Sequence, residues 1–143
     1  MKRLLFIALA LPIWLCSMAN ERPIEFASLP ANAQQFIATH FAGKKVSYST
    51  VESGLTSNSY EVRLDDGTKV EFNGSGDWKE VERRGMAIPA AIVPKPIADY
   101  IKAHYPSAHI TKIERNRRST EVDLSNGLEI TFDANYAVVK VDD

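Results

Sequence analysis

From residue 60 onward the chain alternates apolar and polar side chains. Tyr60, Val62 and Leu64 fall on one face of an extended segment and Glu61 and Arg63 on the other, the period of a half-buried strand. Asp65-Asp66-Gly67 then reverses the chain, and Thr68, Val70 and Phe72 oppose Lys69 and Glu71 in a second strand. The pattern returns at residues 120–132, where Val122 and Leu124 alternate with Glu121 and Asp123. Asn126-Gly127 is the stronger hairpin signal there, and Leu128, Ile130 and Phe132 point inward with Glu129 and Thr131 outward. Closing strands are predicted at residues 77–82 and 137–141. Opening strands are predicted near residues 46–52 and 110–115, where the apolar spacing breaks parity and calls for a bulge.

Upstream of each strand set the period becomes helical. Phe36, Ile37, His40 and Phe41 form one stripe, as do Tyr100, Ile101, His104 and Tyr105. Pro30 and Pro94 open these segments, where a missing N–H costs nothing, and Gly43 and Pro106 close them. Laid on itself, the chain repeats with an offset of 64 residues in the helical block and 60 in the strand block. The predicted fold is therefore α+β, a tandem repeat of one helix followed by a four-stranded antiparallel sheet. Each helix would cover one face of its sheet and leave the other, of mixed charge, to water or a partner.

The organisation read from this pattern is a leader at 1–19, a lead at 20–28, a first unit at 29–82, a connector at 83–92 and a second unit at 93–143. Residues 29–143 are expected to form one domain, because the connector residues 86–92 are too apolar for a free linker. Lys2 and Arg3 before the apolar run at 4–15, then Ser17-Met18-Ala19, make the leader a cleaved signal peptide. The competing reading makes Cys16 the lipidated first residue of a lipoprotein, but Leu15 stands where that peptidase wants a small side chain. The mature protein is expected to be periplasmic or secreted, with no transmembrane segment.

The whole chain has 17 basic and 18 acidic residues. Removing the leader takes Lys2 and Arg3 and no acidic residue, which leaves a net charge of −3 and argues against nucleic acid as a partner. Cys16 is the only cysteine, so no disulfide staples the mature fold and burial must stabilise it.

Catalytic signals are thin. His40 and His104 occupy the same position in the two units, on different helices near their C-termini, where imidazole suits the helix dipole. His109 has Lys45 as its counterpart. The sequence holds no phosphate loop, nucleophile elbow or H-E-x-x-H. The outward Glu61, Glu71, Glu121, Asp123 and Glu129 read as a solvated sheet face. No catalytic, metal-binding or cofactor-binding residue is assigned, and no cofactor is expected.

Recognition features are more visible. Trp78 stands where the second unit has Val138, and Arg115, Arg117 and Arg118 crowd one hairpin of an acidic protein. With the outward cations Arg63 and Lys69, these are the candidate partner-binding residues.

Several stretches carry a resemblance: Tyr105-Pro106-Ser107-Ala108, Tyr60-Glu61-Val62-Arg63-Leu64 with Gly67, Val70-Glu71-Phe72, and Gly76-Asp77-Trp78. Over residues 29–141 the chain resembles the PepSY-like family of periplasmic proteins, whose fold is similar to that of the β-lactamase inhibitory protein. The first unit departs at Ala42-Gly43, where the Tyr-Pro ending is missing, and the second at Tyr136-Ala137-Val138, where Gly-x-Trp is lost. The resemblance implies a non-enzymatic binding module, an inhibitor of a secreted or periplasmic enzyme through its sheet face and hairpin loops. The expected partner is an exported protein with an acidic surface patch. The alternative is a small-molecule carrier or sensor holding its ligand between the two units.

Overall fold

The computed structural model describes residues 20–143; the expected signal peptide and Cys16 lie outside them. Strand β1 (Glu21–Ile24) leads into helix α1 (Ala31–His40), followed by β2 (Val46–Ser53), β3 (Asn58–Leu64), β4 (Lys69–Phe72) and β5 (Trp78–Glu82). Helix α2 (Lys95–His104) precedes β6 (Ile110–Arg115), β7 (Ser119–Leu124), β8 (Glu129–Asp133) and β9 (Val138–Asp142). All nine strands form one antiparallel sheet in sequence order.

That sheet corrects the expected tandem of two helix-plus-four-strand units. The molecule is mostly a single nine-stranded sheet carrying two short helices. Three edges that the tandem would have left open are paired: those of β5 and β6 join through Val81 opposite Ile113, and β1 from the lead segment covers that of β2. Strand edges expose unpaired N–H and C=O groups, so joining them satisfies backbone that two separate sheets would leave to water. Pro23 in β1 is tolerated because β1 is the sheet's outermost strand.

Both helices lie on one face. Phe36 of α1 meets Phe72 edge-on with ring centroids 5.7 Å apart, and Tyr100 of α2 meets Phe132 in the same way at 5.6 Å, the geometry aromatic quadrupoles favour. Val62, Val70, Val81, Val122 and Ile130 are fully buried beneath them. Ile88 and Ile92 of the connector enter the same core, and the Ile88 N–H donates to the Ile110 carbonyl at 2.9 Å. Register shifts fall between Val46 and Tyr48 and between Ile110 and Lys112, where the broken parity of the sequence called for bulges.

Prolines 30 and 94 sit at the helix N-caps, just outside the first turn. Arg83 locks the start of the connector: its guanidinium donates to Thr68 Oγ1 (3.1 Å), Asp66 Oδ2 (3.0 Å) and the Ala87 carbonyl (3.0 Å).

Candidate functional site

Two hairpin turns reach the same end of the sheet, residues 73–77 between β4 and β5 and residues 116–118 between β6 and β7. Trp78 leaves the first of these turns opposite Phe72, so its indole faces the helix layer, 6.1 Å from the Phe36 ring. The Arg115 guanidinium lies 3.8 Å over the centre of that indole, and its Nε donates to the Trp78 carbonyl at 2.9 Å. One cation is thus held flat on an aromatic face by a hydrogen bond to the same residue. Burial against the ring lowers the guanidinium pKa without removing its charge.

Around this stack lies an open cleft of about 320 Å³ lined by Asn73, Asp77, Trp78, Lys79, Arg115, Asn116 and Arg117. Among the described residues no carboxylate forms a salt bridge with Arg115, Arg117 or Arg118. Arg118 belongs to the same turn, where its N–H donates to Asn116 Oδ1 at 2.8 Å, but it does not line the cleft.

Arg63 and Lys69 are placed elsewhere. Both stand on the sheet face away from the helices, opposite each other in β3 and β4. Arg63 donates to Glu61 at 3.1 Å, and Lys69 lies 2.8 Å from Glu80 and 3.3 Å from Glu82. Burial alone would lower the Lys69 pKa; its glutamate partners, Glu80 first, raise it above the usual lysine range. The structure therefore gathers Trp78, Arg115 and Arg117 into one site, with Arg118 beside it, and leaves Arg63 and Lys69 neutralised on another surface.

That other surface is more acidic than its strand-by-strand reading implied. Glu61 stands opposite Glu71, Glu71 opposite Glu80, Glu80 opposite Glu114, and Glu114 opposite Glu121. Burial, then Glu80, raises the Glu71 carboxyl against the pull of Lys69 and Lys79. Burial, then Glu129 and Glu114, raises Glu121. Asp123 is raised by burial first, then by Glu129, although Lys112 draws it down. Carboxylate oxygens of Glu121, Asp123 and Glu129 lie within 4.8 Å of one another. Asp123 Oδ1 is buried without a hydrogen-bond partner. The outward parity of these residues was visible in the sequence; their alignment depends on the register across β5 and β6.

The histidines stay apart. His40 packs on Phe36 with centroids 4.6 Å apart, and His104 stacks on Tyr100 at 4.0 Å with Nδ1 3.0 Å from the Tyr100 carbonyl. His109 sits with Lys102 on an open, largely apolar groove of about 280 Å³ between the connector and α2.

A family model described as "Putative beta-lactamase-inhibitor-like, PepSY-like" matches residues 58–140. Three solved structures are similar over almost the whole described chain. A "putative periplasmic protein" of the DUF2874 family from Bacteroides vulgatus is 40% identical, with a TM-score of 0.86, covering 88% of this chain and 99% of its own. A "putative calcium-regulated periplasmic protein" from Bacteroides thetaiotaomicron is also 40% identical, with a TM-score of 0.83 and coverage of 86% and 97%. A second Bacteroides vulgatus periplasmic protein of unknown function is 37% identical, with a TM-score of 0.82 and coverage of 86% and 99%. No curated protein matches. Among the described residues no helix is long and apolar enough to cross a membrane.

Proposed function

The chain belongs to the PepSY-like, β-lactamase-inhibitor-like family, and from that premise we propose that it is a non-enzymatic exported binding module whose docking site is the cleft around Trp78 and Arg115. The observation that carries this reading is the guanidinium fixed 3.8 Å over the indole with no carboxylate of its own among the described residues. A cation immobilised before binding loses little entropy when a partner's carboxylate arrives, and an aromatic floor supplies contact area without flexibility. Arg117 extends the positive lining, against a single carboxylate, Asp77, so an acidic patch on an exported protein fits it. The family description makes a periplasmic or secreted enzyme the first partner class to assay for inhibition.

The test is capture of envelope proteins on the immobilised chain, with wild type beside the Arg117→Glu/Arg118→Glu double variant. A protein held by wild type and lost by at least tenfold from the double variant is the expected outcome. Equal retention by both would remove the arginine hairpin from the binding site.

A second reading is favoured by the Glu121, Asp123 and Glu129 oxygens within 4.8 Å of one another and by the unpartnered Asp123 Oδ1, together with the relative described as calcium-regulated. Three carboxylates with water completing the shell suit a hard, oxygen-seeking cation such as Ca²⁺. Calorimetric titration with CaCl₂ is expected to give heat with wild type and none with Asp123→Asn; silence from wild type ends this reading.

A further inference from the structure

Strand β9 is one outer edge of the sheet and β1 is the other. In the sequence β9 matches β5, with Val141 standing 60 residues after Val81, and the two strands share a backbone phase. The Asn73 N–H donates to the Asp77 carbonyl and the Asp133 N–H to the Ala137 carbonyl. By alternation, Glu80 and Glu82, like Lys140 and Asp142, turn their backbone toward the hairpin partner. Val81 and Val141 therefore turn theirs the other way. For β5 that side is filled, because β6 lies there and Val81 is fully buried opposite Ile113. For β9 it is open among the described residues. Val141 stays 45% exposed although its β8 partner Ile130 is fully buried, and Val139 on the same strand is exposed as well.

The two outer edges differ. The Ser53 N–H donates to the Asn20 carbonyl, so the same alternation turns residue 23 of β1 outward, and proline there removes a donor from the open side. β9 holds no proline and presents both the N–H and the C=O of Val141, a template for another strand. Lys140 is the usual deterrent at such an edge, cancelled by a strand that brings a carboxylate opposite it. β9 is itself such a strand. Run antiparallel to a second β9 with Val141 opposite Val141, it sets Lys140 of each copy opposite Asp142 of the other. The next register of the same phase, Val139 opposite Val141, would set Lys140 against Lys140. Within one chain Lys140 and Asp142 already meet at 2.7 Å on the exposed surface; across the two-fold axis they become a ring of four charges of alternating sign.

We infer that two copies of the chain associate through β9, antiparallel about a two-fold axis at Val141, so that the sheet of one continues into that of the other. Such a contact closes at two copies, whereas β9 on β1 would repeat head to tail without closing. Opposite residues share a face, so both helix layers fall on one side and the two Val141 side chains cover each other as Ile113 covers Val81. No residue lining the Trp78 cleft takes part, so the contact stands apart from that site.

A strand pair this short buries less than the roughly 1,200 Å² of stable interfaces. A weak dimer is therefore expected in sedimentation equilibrium of the mature chain, with Kd between about 10 μM and 1 mM. Lys140→Asp and Asp142→Lys each set like charges opposite one another twice per dimer and are expected to weaken it about tenfold. Mixed in equal amounts, these two variants restore opposite charges at both places, and a heterodimer of near wild-type strength is expected. Lys95→Asp and Asp99→Lys make the same charge changes on α2 and are expected to leave the dimer unchanged. A wild type that stays monomeric up to about 2 mM overturns the proposal and leaves the edge to another protein's strand. It is overturned equally if the β9 variants dimerise like wild type, if their mixture fails to recover, or if species larger than a dimer grow with concentration. Lys140 and Asp142 are exposed, so their substitution spares the fold, which an unchanged far-ultraviolet circular dichroism spectrum checks.

Discussion

Gly76 and Tyr136 occupy matching turns under different constraints. Gly76 has φ +83°, and a Cβ there would collide with the Asn32 side chain and lie 2.6 Å from Pro30 Cβ. Gly76→Ala is therefore expected to cost about 2 kcal/mol or more in denaturant unfolding, from left-handed strain and the clash with α1 together. Tyr136 holds φ 62° with a full side chain, so Tyr136→Gly is expected to stabilise by up to about 1 kcal/mol in the same assay. Asp66 is a third single-residue test. Burial would raise its carboxyl, but hydrogen bonds from Thr68 and the Arg83 guanidinium outweigh burial and hold it at about 2. A carboxyl lowered in the fold stabilises above its unfolded value of 3.8 and loses that contribution as pH falls toward 2. Asp66→Asn should flatten the stability profile over that window and cost about 1–2 kcal/mol at pH 7, with partial solvent screening keeping the effect modest.

Helix-on-sheet packing carries the next level. Phe132 is fully buried with Tyr100 edge-on above it, and Phe132→Ala is expected to destabilise by about 3–5 kcal/mol, read by urea unfolding. Most elements were legible in the sequence, because alternation at 60–64 and 120–124 and helical stripes at 36–41 and 100–105 are local signals. Strand β1 was not legible: Glu21-Arg22-Pro23-Ile24 is short, holds a proline and has no alternation, and it is a strand because β2 offers an unpaired edge. The side of the sheet that Trp78 occupies was equally hidden. The register shift between Glu71 and Phe72 places it opposite Phe72, under Phe36.

For the molecule as a whole, one sheet and one continuous core predict one unfolding transition. Near-ultraviolet and far-ultraviolet circular dichroism should melt together; two separated midpoints would contradict a shared core. The glutamate row adds a pH signature. Glu71 and Glu121 titrate above their ordinary value in the fold, so their ionisation penalises the native state, and the stability they contribute in acid is lost as pH rises through the folded values. Glu71→Gln/Glu121→Gln is expected to be more stable than wild type by about 1 kcal/mol at neutral pH. The difference should narrow as pH falls and the two carboxyls take up protons in wild type as well.

Composition and local periodicity were enough to give both helices and every strand but β1, the face that the alternating strand residues take, the arginine-rich hairpin and the absence of familiar catalytic motifs, since each is written within a few consecutive residues. Partnership between distant segments is not written there. A strand's alternation says which way its side chains point and nothing about which strand lies beside it. The fusion of β5 to β6 set Glu80 against Glu114 and completed the glutamate row. The same long-range pairing placed Arg115 over Trp78 and fixed it in place, while the register of the β4–β5 hairpin set Glu80 beside Lys69 and neutralised another expected binding residue.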